Sequence, residues 1–154
     1  MSAPPMNDVL RPRRSVLYMP GANERALEKA KAIPADTLIF DLEDAVAPDA
    51  KEEARDRVCA AACSGEYGAK EIVIRVNAIG TQWHDADLAA AAKAAPDAVL
   101  VPKVNSAAEV AALVDALEAG GAPPSTRLWA MLETPVAVTN AVELCRASER
   151  LAVL

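Results

Sequence analysis

Cysteine, histidine and basic charge are all scarce in this 154-residue chain. Cys59, Cys63 and Cys145 are too few, and odd in number, for a disulfide framework. With one histidine and no second cysteine pair, a zinc site lacks ligands. Cys59 and Cys63 stand four apart in a helical pattern and share a face, and the three thiols read as small buried residues of a reducing cytoplasm. Sixteen Lys+Arg against twenty-two Asp+Glu leave a net charge of −6, the wrong sign for a nucleic-acid binder. No apolar run approaches the ~18 residues of a membrane span. The opening MSAPPMNDVLRPRR lacks the apolar stretch and cleavage site of a secretory signal. GxSxG, GxGxxG and Walker motifs are missing, so serine-hydrolase, dinucleotide and P-loop chemistry have no marker here.

What is present is an apolar fraction of 53 % with 25 % charged residues, enough to fold around a core. Residues 1–12, with Pro4, Pro5 and Pro12, read as a flexible arm, and 13–154 as one domain. Strands are expected at 15–19, 37–41, 71–77, 98–102 and 127–132, with the opening of a sixth at 151–154. Between them lie helical stripes. One runs from Ala22 to Ile33, with Asn23 able to cap it and Pro34 to stop it. A second follows Pro48, with Ala50, Ala54, Val58 and Ala61 inward and Lys51 and Arg55 on the wet side. A third starts at Asp85 or Asp87 and runs through Ala94, and a fourth starts at Ser106 and ends near Gly120. The last has Thr134 as cap and Pro135 at its first position, and continues to about Ala147. Strand–helix units of about 30 residues indicate a parallel α/β sheet. Periodicity alone allows two architectures: a five-stranded, flavodoxin-like doubly wound sheet, or a (β/α)8 TIM-type barrel truncated at the start of strand six.

Charge gathers at the strand ends. The second strand ends Asp41-Leu-Glu43-Asp44, the third Arg75-Val-Asn77, the fourth Pro102-Lys103 and the fifth Glu133-Thr134. Alternation puts Asp41 and Glu43 on the face of Ile39, Arg75 and Asn77 on that of Val73, Lys103 on that of Val101, and Glu133 on that of Met131. If those faces point inward, the charges meet at the carboxyl end of the sheet, where this fold class binds ligands. A lysine at a strand end commonly just leaves the core for water. Arg75, flanked by Ile74 and Val76, requires an anionic partner. Four carboxylates against two cations leave an excess of negative charge that an oxygen-ligated Mg²⁺ would balance. His84 reads as a solvated loop histidine. Residues 20–23 form either an anion cradle or a plain turn.

These segments, from Arg14-Ser-Val-Leu-Tyr18-Met-Pro20-Gly21 through Phe40-Asp41-Leu-Glu43-Asp44, Ile74-Arg75-Val-Asn77 and Val101-Pro102-Lys103 to Leu132-Glu133-Thr134, resemble the citrate lyase beta subunit / malyl-CoA lyase family (the HpcH/HpaI aldolase group) in order and spacing. The resemblance implies a barrel enzyme that uses Mg²⁺ to cleave a 3-hydroxyacyl-CoA into an acyl-CoA and a 2-oxo acid. Glu133 would then be a metal ligand. Arg75 would bind the oxo acid and stabilise its oxyanion, and Glu43 and Asp44 would support Arg75 and a metal-bound water. Tyr18 and Lys29 match positions that contact CoA, and Lys103 lies at the substrate mouth. A third CoA-contacting arginine of the group falls at Asn23, with Arg25 nearby. The family's second metal-ligand Asp follows strand six, so the expectation is that this chain is part of a longer product. The resemblance further implies a cytoplasmic homo-oligomer. Two alternatives stay open: a CoA-independent 2-oxo acid aldolase of the same superfamily, and a non-catalytic half-barrel subunit.

Overall fold

Each of the six expected strands forms in the computed structural model of the chain, which describes residues 11–154. The order is β1 (Val16–Pro20), α1 (Glu24–Ala30), β2 (Thr37–Asp41), α2 (Lys51–Cys63), β3 (Glu71–Arg75), α3 (His84–Ala94), β4 (Ala98–Val101), α4 (Ala107–Ala119), β5 (Arg127–Ala130), α5 (Pro135–Thr139), α6 (Ala141–Arg146) and β6 (Leu151–Val153). A 3-10 turn, Pro48–Ala50, leads into α2. No helix among the described residues is long and apolar enough to cross a membrane.

Among the described residues all five strand pairs are parallel, and the six strands lie side by side in sequence order. A doubly wound sheet reverses its order at a switch point. No reversal occurs here, so the flavodoxin-like alternative is excluded, and the order is that of a (β/α)8 barrel wall. The sheet has two unlike faces. Leu38, Phe40, Ile74, Val99 and Leu128 pack against the helices in the larger core. Ile39, Val73, Ala98, Leu100 and Trp129 form the smaller inner-face cluster.

The amino end of the inner face is closed by charge. Glu71, buried on β3, accepts two hydrogen bonds from Arg13 at 2.7 Å and one from the Thr37 hydroxyl at 2.9 Å. The Arg13 guanidinium also lies 5.0 Å from the centroid of the Trp129 ring. Of the expected N-terminal arm, residues 1–10 lie outside the described residues, and Arg11 donates to Asp97 at 3.2 Å.

Several local expectations are corrected. The helix expected from Thr134 to Ala147 breaks at Asn140, whose side chain turns away to donate to the Asn105 carbonyl at 2.9 Å. The first helix ends at Ala30, and the chain tightens there into three-residue turns, Ala32 donating to Lys29 and Ile33 to Ala30. Only Cys59 is partly shielded, its thiol pushed up to about 11 by burial, whereas Cys63 and Cys145 are exposed. The small-buried reading therefore fails for two of the three, because their positions on α2 and α6 face outward.

Candidate active site at the carboxyl ends of the strands

β2 and β3 run in register, so that Asp41 stands beside Arg75 at the two strand ends. Arg75 donates through Nε and Nη2 to the two Asp41 oxygens, at 2.7 and 2.6 Å. Its Nη1 pairs with Glu43 Oε2 at 2.7 Å and lies 3.6 Å from Asp44 Oδ2. Burial alone works against the charged guanidinium. The Asp41 hydrogen bond and the charges of Asp41 and Glu43 outweigh it and carry the Arg75 pKa above its ordinary value. The anionic partner that the sequence required is thus a bidentate carboxylate on the neighbouring strand.

Glu43 reaches Arg75 by a turn rather than by strand alternation. After Asp41 the chain bends: the Glu43 N–H donates to Asp41 Oδ1 at 2.8 Å and the Ala45 N–H to Oδ2 at 3.2 Å. The second Glu43 oxygen accepts from Lys103 Nζ at 2.7 Å, which raises the Lys103 pKa. The route of Lys103 also departs from expectation. Val101 packs toward the helices, so alternation would have sent Lys103 the wrong way. Lys103 instead adopts a left-handed backbone, with φ of 56°, and this turns its side chain into the mouth. The same backbone directs its N–H onto Glu133 Oε1 at 2.8 Å. Contacts therefore run without a gap from Asp41 through Arg75, Glu43 and Lys103 to Glu133. Tyr18 on β1 borders them, its ring centroid 5.1 Å from the Arg75 guanidinium carbon. Burial raises the Tyr18 pKa, and the Arg75 charge opposes that rise.

Two sequence-selected residues are not drawn in. Lys29 is exposed in the last turn of α1, at the helix end that runs away from the strand tips. Asn77 turns from the mouth and is buried, its Nδ2 donating to the Leu42 carbonyl at 2.9 Å and to Asp87 at 2.6 Å. The 20–23 segment is a capping turn, with Gly21 N–H on the Asp41 carbonyl and Asn23 accepting from Ala26. His84 is buried, not solvated, with Nδ1 2.7 Å from the Asn77 carbonyl oxygen. Sequence reasoning missed a further layer behind the site. Lys51 and Arg55, assigned to the wet side of α2, point under the β2–α2 loop and onto buried Asp87 respectively. The available signal was position: the first residue of a helix entered from a βα loop can reach back to that loop's carbonyls.

Magnesium suits the donor set. All the mouth carboxylates are hard oxygen donors, and Glu133 is exposed, with its Oε2 making no hydrogen bond to the described residues. Both Glu43 oxygens are held by cations. Among the described residues no three His, Cys, Asp or Glu converge as a ready-made cage. Glu133 is the residue of this chain that would hold such an ion, with water and substrate oxygens as its further donors.

Residues 14–154 match the HpcH/HpaI aldolase/citrate lyase family. The chain belongs to this family. It is 47 % identical over 133 residues to a (3S)-malyl-CoA thioesterase of Cereibacter sphaeroides (strain ATCC 17025), covering 86 % of this chain and 45 % of the relative. It is 40 % identical over 146 residues to the citrate lyase subunit beta of Escherichia coli (strain K12), covering 92 % and 48 %. A solved citrate lyase beta subunit from M. tuberculosis, complexed with oxaloacetate and magnesium, superposes with a TM-score of 0.71 at 30 % identity, covering 92 % of this chain and 58 % of that one. The chain spans about half the length of the curated relatives it matches. Magnesium is thus found on a family structure that shares this chain's fold.

Proposed function

We propose that the complete protein is a Mg²⁺-dependent carbon–carbon lyase, cleaving a 3-hydroxyacyl-CoA of the citryl-CoA or malyl-CoA kind into an acyl-CoA and a 2-oxo acid. The observation that carries this reading is the unbroken contact chain from the Arg75 fork to the Glu133 carboxylate. In such a cleavage the hydroxyl proton leaves and that oxygen becomes the carbonyl of the oxo acid. The carbon–carbon bond breaks, its electron pair enters the thioester as an enolate, and a proton returns to that carbon. A bound Mg²⁺ supplies Lewis-acid stabilisation of charge on the oxo-acid oxygens.

The chain's own residues do the rest. Arg75 gives two N–H groups to Asp41 and keeps N–H groups on Nη1 and Nη2 for a substrate carboxylate or developing oxyanion. Asp41 and Glu43 hold that fork rigid before substrate arrives. Asp44, exposed and only loosely paired with Arg75, keeps its acceptor capacity for a water at the mouth. Tyr18, exposed on the edge strand, offers its ring to the thioester portion of the substrate. Lys103, half-exposed, adds positive charge where an anionic acid enters. The same reading makes the enzyme a cytoplasmic homo-oligomer.

A second reading, hydrolysis of the malyl-CoA thioester, is favoured by the thioesterase relative. One assay separates the two. The complete protein is given malyl-CoA and, separately, citryl-CoA, with and without Mg²⁺, while 2-oxo acid and free CoA thiol are followed together. The lyase releases 2-oxo acid without thiol; the thioesterase releases thiol without 2-oxo acid. Glu133→Gln is expected to remove the Mg²⁺ dependence of either reaction, and an unchanged Mg²⁺ activation curve would reject Glu133 as a ligand.

A further inference from the structure

Lys51 has a side chain built into the protein for no purpose that its helix explains. It is the first residue of α2, 5 % exposed, and its ammonium group makes three hydrogen bonds: to the Leu42 carbonyl at 2.7 Å, the Glu43 carbonyl at 2.6 Å and Asn77 Oδ1 at 2.7 Å. All three acceptors are neutral. An ammonium buried without a directly bonded carboxylate is costly, and desolvation draws its pKa below the ordinary lysine value. The Trp83 ring, 5.1 Å away, and the more distant charges of Asp87, Asp41, Glu43 and Asp44 offset that cost only in part. A helix of this length needs no such lysine. The loop in front of it does.

The peptide segment around Glu43 is gripped from two sides. From the mouth, Asp41 accepts the Glu43 N–H. From the helix layer, Lys51 takes the Leu42 and Glu43 carbonyls. With its carbonyls turned inward to Lys51, the loop presents the Glu43 side chain outward to Arg75 and Lys103. The third Lys51 bond, to Asn77, extends the grip to the β3–α3 connection, because Asn77 also donates to the Leu42 carbonyl and to Asp87. We infer that Lys51 is a positioning residue that holds the Glu43–Asp44 loop in register with the Arg75 fork and ties the β2–α2 loop to the β3–α3 loop. Its consequence for turnover rests on the lyase reading; its hold on the loop does not.

The test uses the complete protein with Lys51→Met, which keeps the apolar stem and removes all three donors, and Lys51→Gln, which keeps a polar end, as the backup should the first fail to fold. Amide hydrogen exchange and steady-state cleavage of malyl-CoA are measured in parallel. The expected result is at least tenfold faster exchange at the Glu43 and Ala45 amides, with the β3 amides unchanged, and a kcat at least tenfold lower with KM within twofold. Unchanged exchange at Glu43 and Ala45 in whichever variant folds overturns the inference. So does loosened exchange with wild-type kcat. If the wild-type protein cleaves no 3-hydroxyacyl-CoA, the lyase reading falls alone, and the exchange result still decides the role of Lys51.

Discussion

Arg75 is a cation placed where water cannot serve it, and two buried carboxylates converge on it, one of them shared with Lys103. Removing it leaves buried Asp41 without a cation and Glu43 with Lys103 alone. Arg75→Met is therefore expected to lower stability by about 3–5 kcal/mol, the range for breaking a buried pair from one side, as read by urea unfolding. Arg75→Lys keeps a charge but cannot reproduce the fork on Asp41, and it is expected to lose activity out of proportion to its stability loss. Sequence logic anticipated the carboxylate partner of Arg75 because an arginine between Ile74 and Val76 has no other recourse. For Lys103 it reached the right place, the mouth, by the wrong route. Strand alternation holds only while the strand lasts, and β4 ends at Val101. A left-handed residue then redirects everything after it. A non-glycine residue in that region is strained, and here the strain places one residue on both Glu43 and Glu133.

Among the elements, the turn between β1 and α1 is the tightest joint. A Cβ on Gly21 would stand 2.7 Å from the Asp41 carbonyl oxygen and 2.7 Å from a Val58 methyl. The obstacle on one side is backbone, held by the Gly21 N–H bond to that carbonyl at 2.9 Å. Gly21→Ala is thus expected to cost about 1–3 kcal/mol by overpacking, visible as a lower denaturation midpoint with an unchanged m-value. Because Asp41 bears the bidentate contact to Arg75, the same substitution should also lower turnover in the complete enzyme. The cap–proline pair Thr134-Pro135 marked a helix start correctly, with Thr134 accepting from the Ala137 N–H at 3.0 Å. No local signal marked the break at Asn140, because its cause is a carbonyl on Asn105, thirty-five residues away.

On the scale of the whole molecule, the amino ends of β1 and β2 are clamped by Asp36. Its carboxylate accepts from the Arg14 and Ser15 N–H groups and from the Arg14 guanidinium, at 2.8–3.2 Å. The Arg14 hydrogen bond, aided by those backbone donors, holds the Asp36 carboxyl well below the usual carboxylate range. A carboxyl lowered in the folded state binds fewer protons there than in the unfolded chain. Its contribution is therefore complete above about pH 4, the ordinary carboxylate value, and is lost as the pH falls below that. Asp36→Asn is expected to be less stable than the wild type at pH 7, with the gap closing as the pH is lowered, measured by thermal unfolding across pH 2–7. A gap that stayed constant with pH would reject the clamp as the cause.

The sequence by itself determined the rhythm of strand and helix, the charged residues at the strand tips, and family membership, because each of these is written in neighbours along the chain. Only the tertiary structure decided that the strands lie in consecutive order, that Lys103 enters the mouth through a left-handed turn and not by strand alternation, and that Lys51 dives beneath the Glu43 loop. Strand order and the contacts of Lys51 and Lys103 are relations between segments 8 to 60 residues apart, and a helical or strand period carries information only across a few.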